Sequence, residues 1–299
     1  MLSSLLIPLD LSPSSERVVA RAALLPLPSG ARVTLLHVVP RLLQRESRAR
    51  AEEDAQQALE ATAKRLGPAL PRGTEVHTVV KVGVAAAEIS KEAKSSRAGL
   101  IVVGRGNGRA LDLFLGSTAE RVIRKGQLPV LVVRLAPRAP YRRPAIALDL
   151  DLAAREALAG LLSLTPSPHL PVTAIHAYDA PYQGLIYPSL SPEAAEAYRD
   201  EHRAKALREL ERLLTTSMAQ LHQPPERGTA WNRLVQYGPA RTVIERAVKK
   251  VNADLLVLGT HGYSGVAHAF LGTVAGDVLR EVACDVLVVP PLRLAAESS

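Results

Sequence analysis

Residues 255–289 read LLVLGTHGYSGVAHAFLGTVAGDVLREVACDVLVV, and this stretch decides the fold. An apolar run ends at Gly259, a loop carrying Gly262, Gly265 and Gly272 follows, a segment of helical period opens near Thr273, and the run DVLVV closes at Val289. Short Val/Leu runs joined through a helix imply parallel strands covered on both faces. The stretch also occurs earlier in the chain, where residues 100–133 read LIVVGRGNGRALDLFLGSTAERVIRKGQLPVLVV.

The repetition extends to the whole chain. LLIPLD ends at Asp10 and the run ARVTLLHVV places His37 27 positions later; AIALD ends at Asp149 and PVTAIHAY places His176 again 27 later, so both pairs are offset by 139. Gly83 pairs with Gly238, Ile89 with Ile244 and Gly104 with Gly259 at an offset of 155, and PVLVV pairs with DVLVV at 156. Offsets constant within blocks mean one unit duplicated, with 16 residues added to the second copy between His176 and Gly238 and one more between Gly259 and Gly272. The first copy's apolar runs at 4–9, 32–39, 75–81, 99–103 and 129–134 alternate with helical segments such as PSSERVVARAALL, whose opening Ser12 or Ser14 suits a cap. Two tandem α/β domains are expected, 1–139 and 140–299, each a doubly wound, five-stranded parallel sheet with helices on both faces. The linker is APRAPYRRP, from Ala136 to Pro144.

Composition fits two such domains. The chain has 299 residues, 47% of them hydrophobic and 22% charged, enough for a core in each half. The net charge of +8 is unevenly spread: residues 1–139 hold 21 Lys+Arg against 12 Asp+Glu, and the remainder 16 against 17. One cysteine, Cys284, leaves no internal disulfide and no zinc spacing. No apolar run is long enough to span a bilayer, and the opening MLSSLLIPLDLS has no basic leader and reaches an acid by Asp10. A cytoplasmic protein with no membrane partner is expected.

In an open parallel sheet, ligands bind beyond the carboxyl ends of the strands, where the strand order reverses. Two features of each copy lie there: the Asp closing the first strand and the glycine segment after the fourth. Glycines let the backbone approach a ligand, and amides at a helix N-terminus bind anions, which favours a phosphate; a simple tight turn is the equally open reading of such a loop. Neither a Walker A sequence nor G-x-G-x-x-G is present.

Gly259, Gly262, Gly272 and Thr273 complete the pattern G-x-x-G-(nine residues)-G-[S/T], which resembles the ATP-binding signature of the universal stress protein family. The Pro-Leu-Asp end of the first strand, the His-Val end of the second and the final Val-Leu-Val-Val strand agree, and the resemblance covers both copies. It implies the strand order 3-2-1-4-5, ATP as cofactor (with or without Mg2+), and a pseudo-dimer formed by pairing the two last strands, 129–134 and 285–289. Further dimerisation of tandem chains is left open. The resemblance assigns Asp149 to the ribose, Ala177 beside His176 to the adenine, and Leu258, Gly259, Gly262, Gly272, Thr273 and Val274 to the phosphates. The first-copy set is Pro8, Leu9 and Asp10, then Val38, then Val103, Gly104 and Gly106, then Gly116, Ser117 and Thr118. There the loop is one residue short, twelve positions from Gly104 to Gly116 against thirteen; Gly106 still precedes Gly116 by the expected ten, Gly108 adds freedom, and Arg105 and Arg109 can supply charge.

Other residues have plainer readings. His37 and His176 lack a Ser or Cys nucleophile and are expected to be hydrogen-bonded structural histidines. His261 and His268 lie in or after the loop, within reach of phosphate or solvated. Asp10 and Asp149 have no second carboxylate at fixed spacing, which favours ribose over Mg2+. The hydroxyls of Ser117 and Thr273 suit helix capping. Tyr178, Tyr182 and Tyr187 mark the 178–191 segment as a lid, a contact surface or a loop packed on its own domain. Cys284 suits a buried position, and EAYRDEHRAKALRELERLL an amphipathic helix with a solvated face. A nucleotide-binding regulatory protein of the stress response, with slow or no hydrolysis, is the expected function. An ATP-using transferase and a ligand-free scaffold are the alternatives. Nucleic acid is disfavoured because Phe114 is the sole aromatic of residues 1–139.

Overall fold

The structure is a computed structural model and describes residues 2–106, 117–125, 128–150, 154–165, 170–178, 191–221, 230–260 and 271–291. In the first half β1 (Ser4–Pro8), α1 (Ser15–Ala23), β2 (Arg32–Pro40), α2 (Arg45–Leu66), β3 (Glu75–Gly83), α3 (Ala85–Ser95), β4 (Leu100–Gly104), α4 (Ser117–Arg124) and β5 (Val130–Val133) alternate. The second half runs β6 (Pro144–Ala147), α5 (Ala154–Leu164), β7 (Val172–Tyr178), α6 (Pro192–Gln220), β8 (Trp231–Tyr237), α7 (Ala240–Lys250), β9 (Leu255–Gly259), α8 (Thr273–Glu281) and β10 (Asp285–Val289).

Each half has the order 3-2-1-4-5, and the two join into one ten-stranded sheet, β3-β2-β1-β4-β5-β10-β9-β6-β7-β8. The joint is antiparallel, with Val286 opposite Val132, Leu287 opposite Leu131 and Val288 opposite Val130; every other pairing is parallel. The pairing of the last strands implied by the family resemblance is therefore present, and it covers what would be two apolar sheet edges. Because β5 and β10 run in opposite directions, the carboxyl ends of the two halves open at opposite edges of the sheet.

Near-continuous Val, Leu and Ile runs pack both faces. On one, α1, α2, α5 and α6 cover Leu5, Ile7, Leu131, Val257 and Leu287; on the other, α3, α4, α7 and α8 cover Leu6, Val103, Val132, Leu256 and Val288. The charged α6 buries Ala195, Ala206, Leu210 and Leu214 and leaves its polar face to solvent, and its first turn is capped by Ser191, whose Oγ accepts the Ala194 amide at 3.3 Å. At α1 the capping expectation changes: Ser14 holds the N-cap position without a capping bond, its hydroxyl lying 2.7 Å from Ser12 Oγ. In α5, Gly160 lets the helix approach β10 so closely that an added Cβ would lie 2.9 Å from Val289 Cγ2.

A buried polar hub holds the halves together. Asp285, fully buried, accepts the amides of Arg134 at 2.7 Å and Leu135 at 2.9 Å on Oδ1, and Arg21 Nε at 3.0 Å and the Tyr141 hydroxyl at 2.8 Å on Oδ2. Arg21 also donates to Ala139 O at 3.0 Å, and its guanidinium lies 4.1 Å from the centre of the Tyr141 ring. The segment that joins the halves is thus no loose linker. Tyr141 is buried, and the amides of Arg142 and Arg143 donate to the Asp254 carboxylate at 2.7 and 2.9 Å. Cys284 is buried beside this hub; burial, helped by the Asp285 charge, pushes its thiol up to about 12, so it stays protonated and is no nucleophile.

Candidate functional site

Two carboxyl-end crevices result, one per half, and one local device sets both. His37 Nδ1 donates to Leu9 O at 2.8 Å, and His176 Nδ1 donates to Leu148 O at 2.9 Å. A carbonyl can only accept, so the proton sits on Nδ1 in each ring. The ring at the end of the second strand thereby fixes the end of the first, one residue before Asp10 or Asp149. Both histidines are thus hydrogen-bonded within the fold, the arrangement expected of residues that lack a Ser or Cys nucleophile. The parallel registers Pro8 with Leu36 and Ala147 with Ile175, carried two residues on, set Asp10 beside Val38 and Asp149 beside Ala177.

In the second half Asp149 is exposed, its Oδ1 accepting only the adjacent Leu150 amide, at 3.1 Å, among the described residues. β6 pairs with β9, Ala147 opposite Leu258, so Gly259 and Thr260 close the other side of the crevice. Leu258 is buried, and among the described residues no atom lies within 4 Å of a Cβ built on Gly259. Helix α8 begins here with Gly272 as N-cap. Thr273 and Val274 are exposed. The first helical bond, Gly276 N to Gly272 O, is 2.9 Å, so the amides of Thr273, Val274 and Ala275 lie ahead of the intrahelical ladder. Two expectations shift. The Gly272 amide donates to Thr260 O at 3.2 Å, so it is not available to a phosphate. Thr273 stands at the first helical position, one past the cap.

In the first half Pro8 and Val38 are half-buried, Leu9 and Val103 are buried and Thr118 is half-buried. Gly104 lies close to α1, its built Cβ 3.2 Å from Val18 Cγ2, and Gly106 is exposed with φ +90°, a conformation that favours glycine. Asp10 differs from Asp149. Its Oδ1 accepts the Ser12 amide at 3.1 Å, the Ser12 hydroxyl at 2.7 Å and the Ser15 hydroxyl at 2.6 Å. Burial pushes this carboxyl up, yet the Ser12 and Ser15 bonds outweigh it and hold it below the ordinary aspartate range. The bracing role of the serines is not evident from the sequence, although the spacing Asp10, Ser12, Ser15 carries the signal; the positions offset by 139 are Asp151 and Ala154, which have no hydroxyl. Because the folded value lies below the unfolded one, this network stabilises fully above about pH 3.9 and is lost as the pH falls through the folded value. Ser15→Ala is expected to raise the Asp10 midpoint in a carboxyl-carbon NMR titration; an unchanged midpoint would contradict the role given to Ser15.

Gly262 and Gly116, with Gly108, Arg109, His261, His268, Tyr182, Tyr187 and the Ser117 side chain, lie outside the described residues. Tyr178 ends β7 with its ring 6.0 Å from that of Tyr237, edge to face. Among the described residues no group of three His, Cys, Asp or Glu stands together as a metal site, and no helix is long and apolar enough to cross a membrane.

The family model described as the universal stress protein family matches residues 1–134 and again 140–290. A universal stress protein of Synechocystis is 31% identical over 153 residues, half of this chain and 97% of that protein. One of Methanocaldococcus jannaschii is 40% identical over 84 residues, 28% of this chain and 48% of that protein. The crystal structure of a universal stress protein from Archaeoglobus fulgidus covers 97% of this chain and 99% of its own at 18% identity and a TM-score of 0.69, a likeness of fold. Two matches in one chain, each with its own 3-2-1-4-5 sheet, lead to one conclusion: the chain belongs to the universal stress protein family and carries two of its domains in tandem.

Proposed function

We propose that this chain is a cytoplasmic, ATP-binding regulatory protein of the stress response, in which nucleotide occupancy, with or without Mg2+, tunes a surface read by protein partners. The two units divide at 139/140. The observation that supports this most is in the second half. An exposed carboxylate, Asp149, closes β6 beside Ala177, while Gly259 and the amide-bearing start of α8 lie across β9. Ribose hydroxyls donate to a carboxylate, and a phosphate accepts from amides at a positive helix end. With Gly272 N committed to Thr260, the phosphate contacts fall to the Thr273 and Val274 amides and the Thr273 hydroxyl. Pro8, Leu9, Asp10, Val38, Val103, Gly104, Gly106 and Thr118 take the corresponding parts in the first half. Binding rather than turnover is the role assigned, since no Lys or Arg lies between Gly259 and Thr273 to clamp a transferring phosphoryl group.

Titration calorimetry with ATP and 2′-deoxy-ATP tests the reading. Asp149→Asn is expected to weaken one class of ATP sites by about tenfold or more, the worth of a hydrogen bond to a charged group, and to lessen the discrimination against 2′-deoxy-ATP. Equal ATP binding by variant and wild type would remove Asp149 from the site.

A further inference from the structure

We propose that the first half holds a phosphate-bearing anion between two guanidinium groups, those of Arg105 and Arg134, which none of the assignments above includes as a pair. The parallel register of β4 and β5 ends with Gly104 opposite Val133, so the next residues, Arg105 and Arg134, stand side by side. Side-chain alternation puts both on the face of Val103 and Val132, the face that α4 covers. Arg134 is only 9% exposed. Its Nη1 donates to Val282 O at 2.7 Å, while its Nε and Nη2 are buried and have no partner among the described residues. Asp285, the carboxylate nearby, does not serve them, because its two oxygens are taken by the amides of Arg134 and Leu135 and by Arg21 and Tyr141.

A buried cation with two idle donors and a second cation beside it is unfavourable until an anion joins them. Burial first, and then the Arg105 charge, pull Arg134 down to about 10, the direction such crowding dictates. Even so the group is charged at neutral pH, and a guanidinium fork matches two phosphate oxygens. Arg105 is half-buried and forms the outer side of the clamp. The second half lacks the device: at the repeat offsets of 155 and 156, Arg105 and Arg134 correspond to Thr260 and Pro290. The clamp stands in the half with the shorter glycine loop, so charged side chains there take up phosphate binding that amides perform in the other half. The inference concerns the phosphate alone, from a nucleotide or free in solution, and does not depend on adenosine binding.

The test uses the full chain at low salt, titrated calorimetrically with inorganic pyrophosphate and separately with ATP, for wild type, Arg105→Met, Arg134→Met, Arg134→Lys and Gly272→Asp. Wild type is expected to bind pyrophosphate. Arg105→Met and Arg134→Met are each expected to weaken it by about tenfold or more and Arg134→Lys to restore it in part, while Gly272→Asp, which blocks the start of α8, isolates the arginine-dependent binding. If Arg134→Met melts early, Arg105→Met, changed at a half-exposed position, decides. Pyrophosphate binding that neither methionine variant changes, or its absence in wild type, would overturn the proposal and leave Arg134 as a cap on the end of α8. Pyrophosphate held by the arginines with no ATP bound at all would uphold the clamp and sink the nucleotide reading; ATP bound with pyrophosphate indifferent to both arginines would do the reverse.

Discussion

Asp285→Ala is expected to lower unfolding stability by about 3–5 kcal/mol, the cost of leaving one member of a buried ion pair without its partner. The side chain removed accepts four hydrogen bonds, from Arg21, Tyr141 and the amides of Arg134 and Leu135. Arg21, buried with its side chain 4% exposed, would keep its charge and retain only the Ala139 carbonyl and the face of the Tyr141 ring. Burial in the first place, then the Asp285 charge, holds the Tyr141 hydroxyl protonated far above its ordinary range, so it donates at every physiological pH and would also lose its acceptor. Urea unfolding followed by far-UV dichroism measures the effect. Because the hub ties α1, β5 and the joining segment to β10, the transition should also broaden as the halves uncouple. Adding Arg21→Met to Asp285→Leu should recover a large part of the loss, since an apolar pair of similar volume removes the stranded charge. A loss below about 1 kcal/mol, the scale of an exposed pair, would contradict the place given to this hub.

Gly272→Asp is expected to abolish ATP binding at the second-half site while the protein melts no lower than wild type. The two effects separate for a structural reason. Gly272 is the N-cap of α8, with φ −55° and ψ 154°, a backbone that any residue adopts. A Cβ there would meet Thr260 O at 3.4 Å, ordinary contact. Aspartate is among the best N-cap residues and favours the positive end of a helix, so α8 gains a capping bond. That same carboxylate would take the amides offered to a phosphate and place a like charge against it, a repulsion of several kcal/mol in a crevice partly shielded from water. Calorimetry should show one ATP site fewer, and thermal melting should stay level or rise. Loss of ATP binding with a falling melting point would instead mean that the loop had collapsed.

The repeat carried most of the fold in plain view. Offsets of 139 and 155 between Asp10 and Asp149 and between Gly104 and Gly259 correspond to strand ends that the structure sets at the two switch points, and His37 and His176 bind the carbonyls one residue before those aspartates. Such features are local or periodic, and the period of a strand or helix shows them. The hub was not legible, because Arg21 and Asp285 lie 264 residues apart and nothing in either neighbourhood names the other. Asp285 stands in DVLVV where the first copy has Pro129, a difference at a strand start that points to no partner. Tyr141 stood among Pro and Arg in a segment that reads as a linker, yet its ring is core. Arg134 continued an apolar run whose burial the strand pattern shows, but the lack of a partner for its guanidinium depends on what packs over it. At the site, the sequence placed Gly272 at the start of α8 and could not show that its amide is spent on Thr260 O, since that bond joins the end of β9 to a residue twelve positions on and is set by tertiary placement.

In the proposed function the start of α8 receives the phosphates of a nucleotide whose ribose lies on Asp149. Amide chemical shifts of the isotope-labelled full chain, recorded as ATP or adenosine is added, test it most directly. Large, saturable shifts of the Thr273 and Val274 amides are expected with ATP, small ones with adenosine, and little change at Gly272, whose proton is already bonded. Amides of Thr273 and Val274 that stay in place while ATP binds, or that respond to adenosine as strongly as to ATP, would contradict it.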